Sequence, residues 1–312
     1  MRAIVTGGAG FIGSNLARAL LARGHSAAIV DDFSTGRREN LSGIARDVEV
    51  FEGDVRDEAL LARSFKGAQV VFHQAALPSV ARSVKAPFES HDVNASGTLN
   101  VLLAARKAGV RRVVYASSSS AYGDTPTLPK VETMAPAPLS PYAVSKLAGE
   151  YYCRIFPALY GLGTVALRYF NVFGPHQDPK SHYAAVVPLF VTSVLSGRTV
   201  HIDGDGSQSR DFTFIENVVE ANILAATAEG VEGEVFNVGF GKAHSVNELF
   251  ETICGITGKT APVEHSPSRP GDVKHSLADI SKARKLLGYN PKFDLHAGLV
   301  KTIEYFAAGR TG

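Results

Sequence analysis

Through the first half of the chain, short unbroken apolar runs alternate with longer segments in which apolar residues recur every three or four positions. The runs "AIVTG", "AAIVDD", "VEVFEGDV", "VVFHQAA", "RRVVYASS" and "GTVALRYFN" have the length and β-branched content of buried strands. Between them, "ARALLARG", "EALLARSF", "GTLNVLLAARKAG" and "SPYAVSKLAGEYYCRIFPALYG" carry helical spacing. Strand and helix in strict alternation predict an α/β fold, a doubly wound parallel sheet with helices on both faces. The second half loses this rhythm. Proline and glycine punctuate "NVFGPHQDP", "DGDGSQSRDF" and "SPSRPGDVKHS", with helical stretches such as "SVNELFETICGITG" between them. This pattern predicts a smaller, mixed α/β C-terminal lobe, joined without a linker and sending segments back to the first sheet.

The turn after the first run adds chemistry. "TGGAGFIGSN" sets Gly7, Gly10 and Gly13 between a strand and a helix, where glycines permit a tight turn and bring backbone N–H groups and a helix N-terminus against a pyrophosphate. Asp31 ends the second strand, roughly 20 residues further on, where a carboxylate accepts the ribose hydroxyls of a dinucleotide. An acid there repels the extra phosphate of NADP and favours NAD, although Arg37 and Arg38 nearby leave NADP open at this point. Residues 1–172 are therefore the expected NAD-binding domain, with returning segments around 212–240, and 173–312 mainly the substrate lobe.

Composition narrows the partners. The 312 residues are 45% apolar and 20% charged, with a net charge of +2, as expected for a soluble globular chain that binds a small molecule rather than nucleic acid. Cys153 and Cys254 are the two cysteines; their separation gives neither a disulfide framework nor a metal-ligand spacing, and no metal is expected. His73 reads as a structural histidine closing a strand. Met1 runs straight into the first strand, and no apolar stretch approaches the ~20 residues of a membrane span, so a cytoplasmic location is expected.

In "SPYAVSKLAGE", Tyr142 and Lys146 stand four apart and share a helix face. A phenol with a pKa of roughly 10 is a poor base at neutral pH, but a neighbouring ammonium and an oxidised nicotinamide would stabilise its phenolate. That is the base a hydride-transfer site requires.

These motifs resemble the extended short-chain dehydrogenases/reductases that act on nucleotide sugars. The Gly-x-x-Gly-x-x-Gly spacing is theirs, and most of the chain is similar to the UDP-hexose 4-epimerases, from "TGGAGFIG" through "SSSSAYG", "PYAVSK" and "RYFNVFGP" to "SRDFTFIENV" and "RPGDVKHS". The resemblance implies a Rossmann-like fold and a homodimer paired through helices of the first lobe. It selects Ser118, four before the Tyr of "YG", as the hydroxyl that holds the sugar oxygen beside Tyr142. It implies cofactor contacts from Phe11, Ile12, Asp32, Asp54, Val55, Ala75, Ala76 and Phe170, in addition to the glycines, Asp31, Tyr142 and Lys146. For the UDP-sugar it implies Asn171, Arg210, Arg269 and Asp272 at the diphosphate and ribose, with Val186, His201 and Ile202 around the uracil. Ser79, Arg82 and Ser119 are candidates at the sugar.

The implied reaction oxidises C4 with NAD as hydride acceptor while Tyr142 takes the hydroxyl proton; the keto sugar turns over and is reduced from the other face. Related dehydratases and decarboxylases carry carboxylates just after the catalytic hydroxyl, where this chain has Ser119 and Ser120, so epimerisation is favoured. Ser276 stands where a bulky tyrosine would exclude N-acetylated sugars. The expectation is conversion of both UDP-glucose and UDP-GlcNAc, with a UDP-glucuronate epimerase and a non-catalytic NAD sensor as the alternatives.

Overall fold

A computed structural model of the chain describes residues 1–180, 185–267 and 273–309. Seven strands form one parallel sheet: β1 (Arg2–Thr6), β2 (Ser26–Asp31), β3 (Val48–Glu52), β4 (Val70–His73), β5 (Arg112–Ser118), β6 (Gly163–Tyr169) and β7 (Glu234–Val238). Their order across the sheet is β7-β6-β5-β4-β1-β2-β3, and every pairing is parallel. The winding reverses between β1 and β4, and the carboxyl ends of those strands open a crevice there.

Alternation along each strand supplies both faces. Ala3 and Val5 of β1 join one buried cluster with Leu16 and Leu20 of α1 (Phe11–Ala22), whereas Ile4 joins the opposite cluster with Leu60 and Leu61 of α2 (Glu58–Ser64). Two short helices, α3 (Val80–Lys85) and α4 (Pro87–His91), lead through a single π-helical turn, Asp92–Ser96, into α5 (Gly97–Lys107). The long helix α6 (Pro141–Tyr160) starts where the sequence says it should: Ser140 Oγ accepts the Ala143 amide at 3.1 Å, and proline takes the first helical position. That start puts Tyr142 and Lys146 in the first two turns, next to the end of β5.

The second half is mixed as expected. Two-residue strands pair Val172–Phe173 with Thr213–Phe214 and Ser209–Arg210 with His244–Ser245, and Val200–Asp203 pairs with Val263–Ser266. Helices α7 (Val186–Ser196), α8 (Ile215–Thr227), α9 (Val246–Thr257), α10 (Ser281–Leu287) and α11 (Leu295–Ala307) complete the chain. Their buried residues, among them Phe190, Leu249 and Leu299, belong to the same cluster as Val5 and Leu16. One core thus runs from the sheet into the second half, which is why no linker interrupts the sequence. Among the described residues no helix is long and apolar enough to cross a membrane, and no group of His, Cys, Asp and Glu could hold a metal ion.

Candidate active site

At the first crossover the glycines make a cradle. Gly7 takes φ +66°, and a Cβ there would lie 2.7 Å from Ala75 N; a Cβ on Gly13 would lie 2.2 Å from Gly7 O. Hydrogen alone fits at both places. Helix α1 therefore abuts the end of β1, and Gly10 caps it without a side-chain bond, which leaves the first-turn amides around Phe11 and Ile12 to a phosphate. Asp31 is buried at the end of β2; its Oδ2 accepts the Ala9 amide at 2.8 Å and its Oδ1 the Phe33 amide at 2.9 Å. Burial pushes the carboxyl up, and those two amides work in the opposite direction. Asp32 is exposed and accepts from Ser34.

Arg38 pairs with Glu52 at 2.5 Å and lies over the Phe33 ring, and Arg37 reaches Asp178 at 3.2 Å. Both cations that an NADP phosphate would use are engaged by carboxylates, in keeping with NAD. Asp54 holds Arg56 through two forked bonds, and Ala75 and Ala76 are half-buried at the end of β4. The residues present thus fit NAD: the cradle for its pyrophosphate, Asp31 for a ribose, and Asp54 for the adenine side.

Ser118 ends β5 beside Tyr142. Burial pushes the Tyr142 phenol up, and the Ser118 bond opposes that rise. Lys146 is buried and donates to Ala116 O at 2.8 Å; burial lowers its pKa from 10.5 to about 7. Burial alone therefore works against the ionised forms of both groups. The base expected from the sequence would depend on bound NAD, whose oxidised nicotinamide would bring a positive charge that favours the phenolate.

Beneath this trio lies a directed hydrogen-bond chain. Ala75 N–H donates to Thr6 Oγ1 at 3.3 Å, Thr6 to His73 Nδ1 at 2.7 Å, His73 Nε2 to Thr98 Oγ1 at 2.9 Å, and Thr98 to Asn94 O at 2.6 Å. That sequence of donors requires neutral His73 protonated on Nε2, and burial lowers the imidazole pKa to about 3. The structural role expected of His73 is the one observed. Asn94 sits on the π-helical turn, bonds Leu77 through its amide and donates to Ser145 Oγ at 3.1 Å, tying α6 to the end of β4. Sequence reasoning missed Asn94, because nothing in "HDVNASG" announces a π turn.

The four serines have separated. Ser117 points into the protein and donates to Glu150, which is paired with Arg168 at 2.7 Å in a buried site. Ser118 meets Tyr142, Ser119 is half-buried, and Ser120 donates to Ser118.

Several expected contacts change character. Phe170 is fully buried with its ring against Tyr122, Val55 is buried, and Ile202 belongs to the core, so all three pack the interior of this structure. Ser79 caps α3 by accepting the Arg82 amide, and Arg82 pairs with Glu89 at 2.9 Å, which commits both at the surface. His201 is 66% exposed beside Glu264, and Val186 opens α7 partly buried. Asn171 takes φ +24°, a left-handed conformation costly for a side-chain-bearing residue, immediately after β6. Arg210 donates to Ser209 O and Lys274 O, both at 3.0 Å, and Ser276 N donates to Ser209 O at 3.1 Å. Arg210 and the buried Ser276 are thereby tied to the same short strand. Arg269 and Asp272 lie outside the described residues.

A dinucleotide cradle and a Ser-Tyr-Lys trio at the carboxyl ends of the central strands is the arrangement of the extended short-chain dehydrogenases/reductases. The chain belongs to the NAD dependent epimerase/dehydratase family, whose model matches residues 3–239. It is 44% identical over 312 residues to the UDP-glucose 4-epimerase of Mycolicibacterium smegmatis, covering 98% of each chain. It is similar to the crystal structure of UDP-glucose 4-epimerase with UDP-glucose from Thermotoga maritima, with a TM-score of 0.94, 40% identity and 99% of each chain covered. It is equally similar in fold to the UDP-N-acetylglucosamine 4-epimerase of Methanobrevibacter ruminantium in complex with UDP-N-acetylmuramic acid: TM-score 0.94, 39% identity, 99% of this chain and 98% of that one. The chain is thus an enzyme of the UDP-sugar 4-epimerase group, an isomerase, and its cofactor is NAD.

Proposed function

We propose that the protein interconverts UDP-glucose with UDP-galactose and UDP-GlcNAc with UDP-GalNAc by epimerisation at C4. The observation that carries this reading is the Ser118-Tyr142-Lys146 trio beside the glycine cradle, with Ser119 and Ser120, not carboxylates, directly after Ser118. Glu150, which accepts from Ser117, is spent on Arg168. NAD supplies a reversible hydride acceptor. Tyr142 removes and returns the hydroxyl proton, Ser118 holds the sugar oxygen, and Lys146 keeps the positive charge against the phenolate. Arg210 and Asn171 anchor the diphosphate, with Arg269 and Asp272 proposed beside them. The test is NMR of the anomeric signals after adding UDP-glucose, UDP-GlcNAc or UDP-glucuronate to purified protein. Conversion of the first two supports the proposal, and conversion of UDP-glucuronate alone overturns it.

Tolerance of the N-acetyl group is assigned to the small Ser276; the likeness to the M. ruminantium UDP-N-acetylglucosamine 4-epimerase supports turnover of an N-acetylated sugar. Ser276→Tyr is expected to lower UDP-GlcNAc conversion by more than about tenfold while sparing UDP-glucose. An equal loss on both substrates would refute the gate.

Apolar residues exposed on α3, α4 and α6 support a homodimer. Phe88 is 81% exposed and Val84 64%, next to a stripe of Val144, Tyr151, Ile155 and Leu159 along α6. A patch of this kind is seldom left to water. Phe88→Glu is expected to give a monomer by sedimentation at micromolar concentration, where the unmodified chain sediments as a dimer; a monomeric unmodified chain would count against the pairing.

A further inference from the structure

Arg210 and Ser276 are joined by a short parallel ladder. Ser209 N–H donates to Lys274 O at 3.1 Å, and Ser276 N–H donates to Ser209 O at 3.1 Å. The next amide on that side, Ala278 N–H, goes instead to a side chain, Asp211 Oδ2, at 3.2 Å. Asp211 is fully buried, and more donors converge on it. Oδ2 also accepts the Gly241 amide at 2.9 Å, Oδ1 accepts the Phe240 amide at 2.8 Å, and the Thr213 hydroxyl stands 3.4 Å from Oδ1. One carboxylate thus draws together three pieces of chain: the strand with Arg210, the loop leaving β7, and the segment with Ser276. We propose that Asp211 is a positioning residue for the UDP-sugar: its carboxylate locks the segment carrying Ser276 to the strand carrying Arg210, and so keeps the diphosphate anchor and the sugar wall in register.

This role rests on Arg210 holding the diphosphate and Ser276 bordering the sugar. A carboxylate suits it because both of its oxygens accept, whereas an amide keeps one oxygen and turns an NH2 against the amide hydrogens. A buried donor left without an acceptor is costly, so the segment that supplies it moves. The packing leaves little slack: a Cβ on Gly239 would lie 2.7 Å from both Asp211 Oδ2 and Ala278 Cβ. On its other edge the Ser276 segment pairs with the first half of the chain, Lys130 N–H donating to Leu277 O at 2.8 Å and Asp279 N–H to Lys130 O at 2.9 Å. Losing the Asp211 bonds therefore frees that segment from Arg210 while leaving it attached to the NAD-binding half.

The test is calorimetric binding of UDP to the NAD-loaded protein at pH 8. Burial raises the Asp211 carboxyl to about 6 against the pull of the amides, so it is ionised there. Asp211→Asn, close to isosteric, is expected to weaken UDP about tenfold while NAD bound per chain stays at the parent value. With a UDP-sugar that is turned over, KM should rise by a similar factor and kcat stay within about threefold, the mark of lost uniform binding. Combined with Ser276→Tyr, Asp211→Asn should also abolish most of the selectivity against UDP-GlcNAc that the tyrosine creates, since the tyrosine then sits on an untethered segment. Parental UDP affinity, a kcat that falls as far as KM rises, or undiminished selectivity in the double variant would overturn the proposal. Should Asp211→Asn fail to fold, Gly239→Ala keeps the carboxylate but wedges a methyl between it and Ala278; UDP should weaken by more than about threefold, and parental affinity there would equally overturn it. Absence of UDP binding by the parent would strike the reading of Arg210 as anchor, and the role of Asp211 with it.

Discussion

Tyr142→Phe should give a folded protein that still retains NAD and turns over UDP-sugars about a thousandfold more slowly. Loss of a positioned general base typically costs 10²–10⁴ in rate, and about the middle of that span is expected here. Phenylalanine keeps the ring, so the packing of the first turns of α6 beside β5 survives. What disappears is the phenol oxygen proposed to exchange the sugar proton. The check is a paired measurement: NAD bound per chain after gel filtration, which should be unchanged, and kcat by NMR. Turnover within tenfold of the parent would remove Tyr142 from the role of base.

The largest loss of stability is expected from Glu150→Ala. Glu150 and Arg168 are 3% and 4% exposed, joined by two charge-assisted bonds of 2.8 and 2.7 Å, with Ser117 donating to the same carboxylate. Removing one partner strands the other charge in the interior, which costs about 3–5 kcal/mol. The urea midpoint should fall accordingly, and most of the loss should return in Glu150→Ala combined with Arg168→Met, where no charge is left buried. A loss below about 1 kcal/mol in the single variant would mean that water reaches Arg168 and that the site is less closed than its burial indicates. The pair stiffens the site from below, since Glu150 lies one turn after Lys146 and Ser117 immediately precedes Ser118.

Much of this architecture is legible in the linear sequence, for a physical reason. Strand runs and helical periodicity are local, so the order of elements up to β6, the glycine turn, Asp31 at the end of β2 and the shared face of Tyr142 and Lys146 can all be read from neighbours in the chain. The illegible part consists of contacts made across long separations. Asn94 meets Ser145 from a π turn that local pattern does not mark, and Glu150 meets Arg168 across a helix and a strand. Ser120 bonds back to Ser118 because a 3-10 turn folds it over the strand end, a matter of dihedral angles rather than composition. Phe170 and Ile202 show the reverse limit: a motif marks a position without saying that its residue is packed into the core.

The hydrogen-bond chain under Lys146 has a consequence for the fate of the sugar proton. From the Ala75 amide through Thr6, His73 and Thr98 to the Asn94 carbonyl, every donor is already committed, and the last acceptor is a peptide oxygen that cannot pass a proton on. The floor of the pocket is a cul-de-sac. Along this chain a proton has no inward exit, so its bonds hold the end of β4 and the π-helical turn in place rather than carry the chemistry.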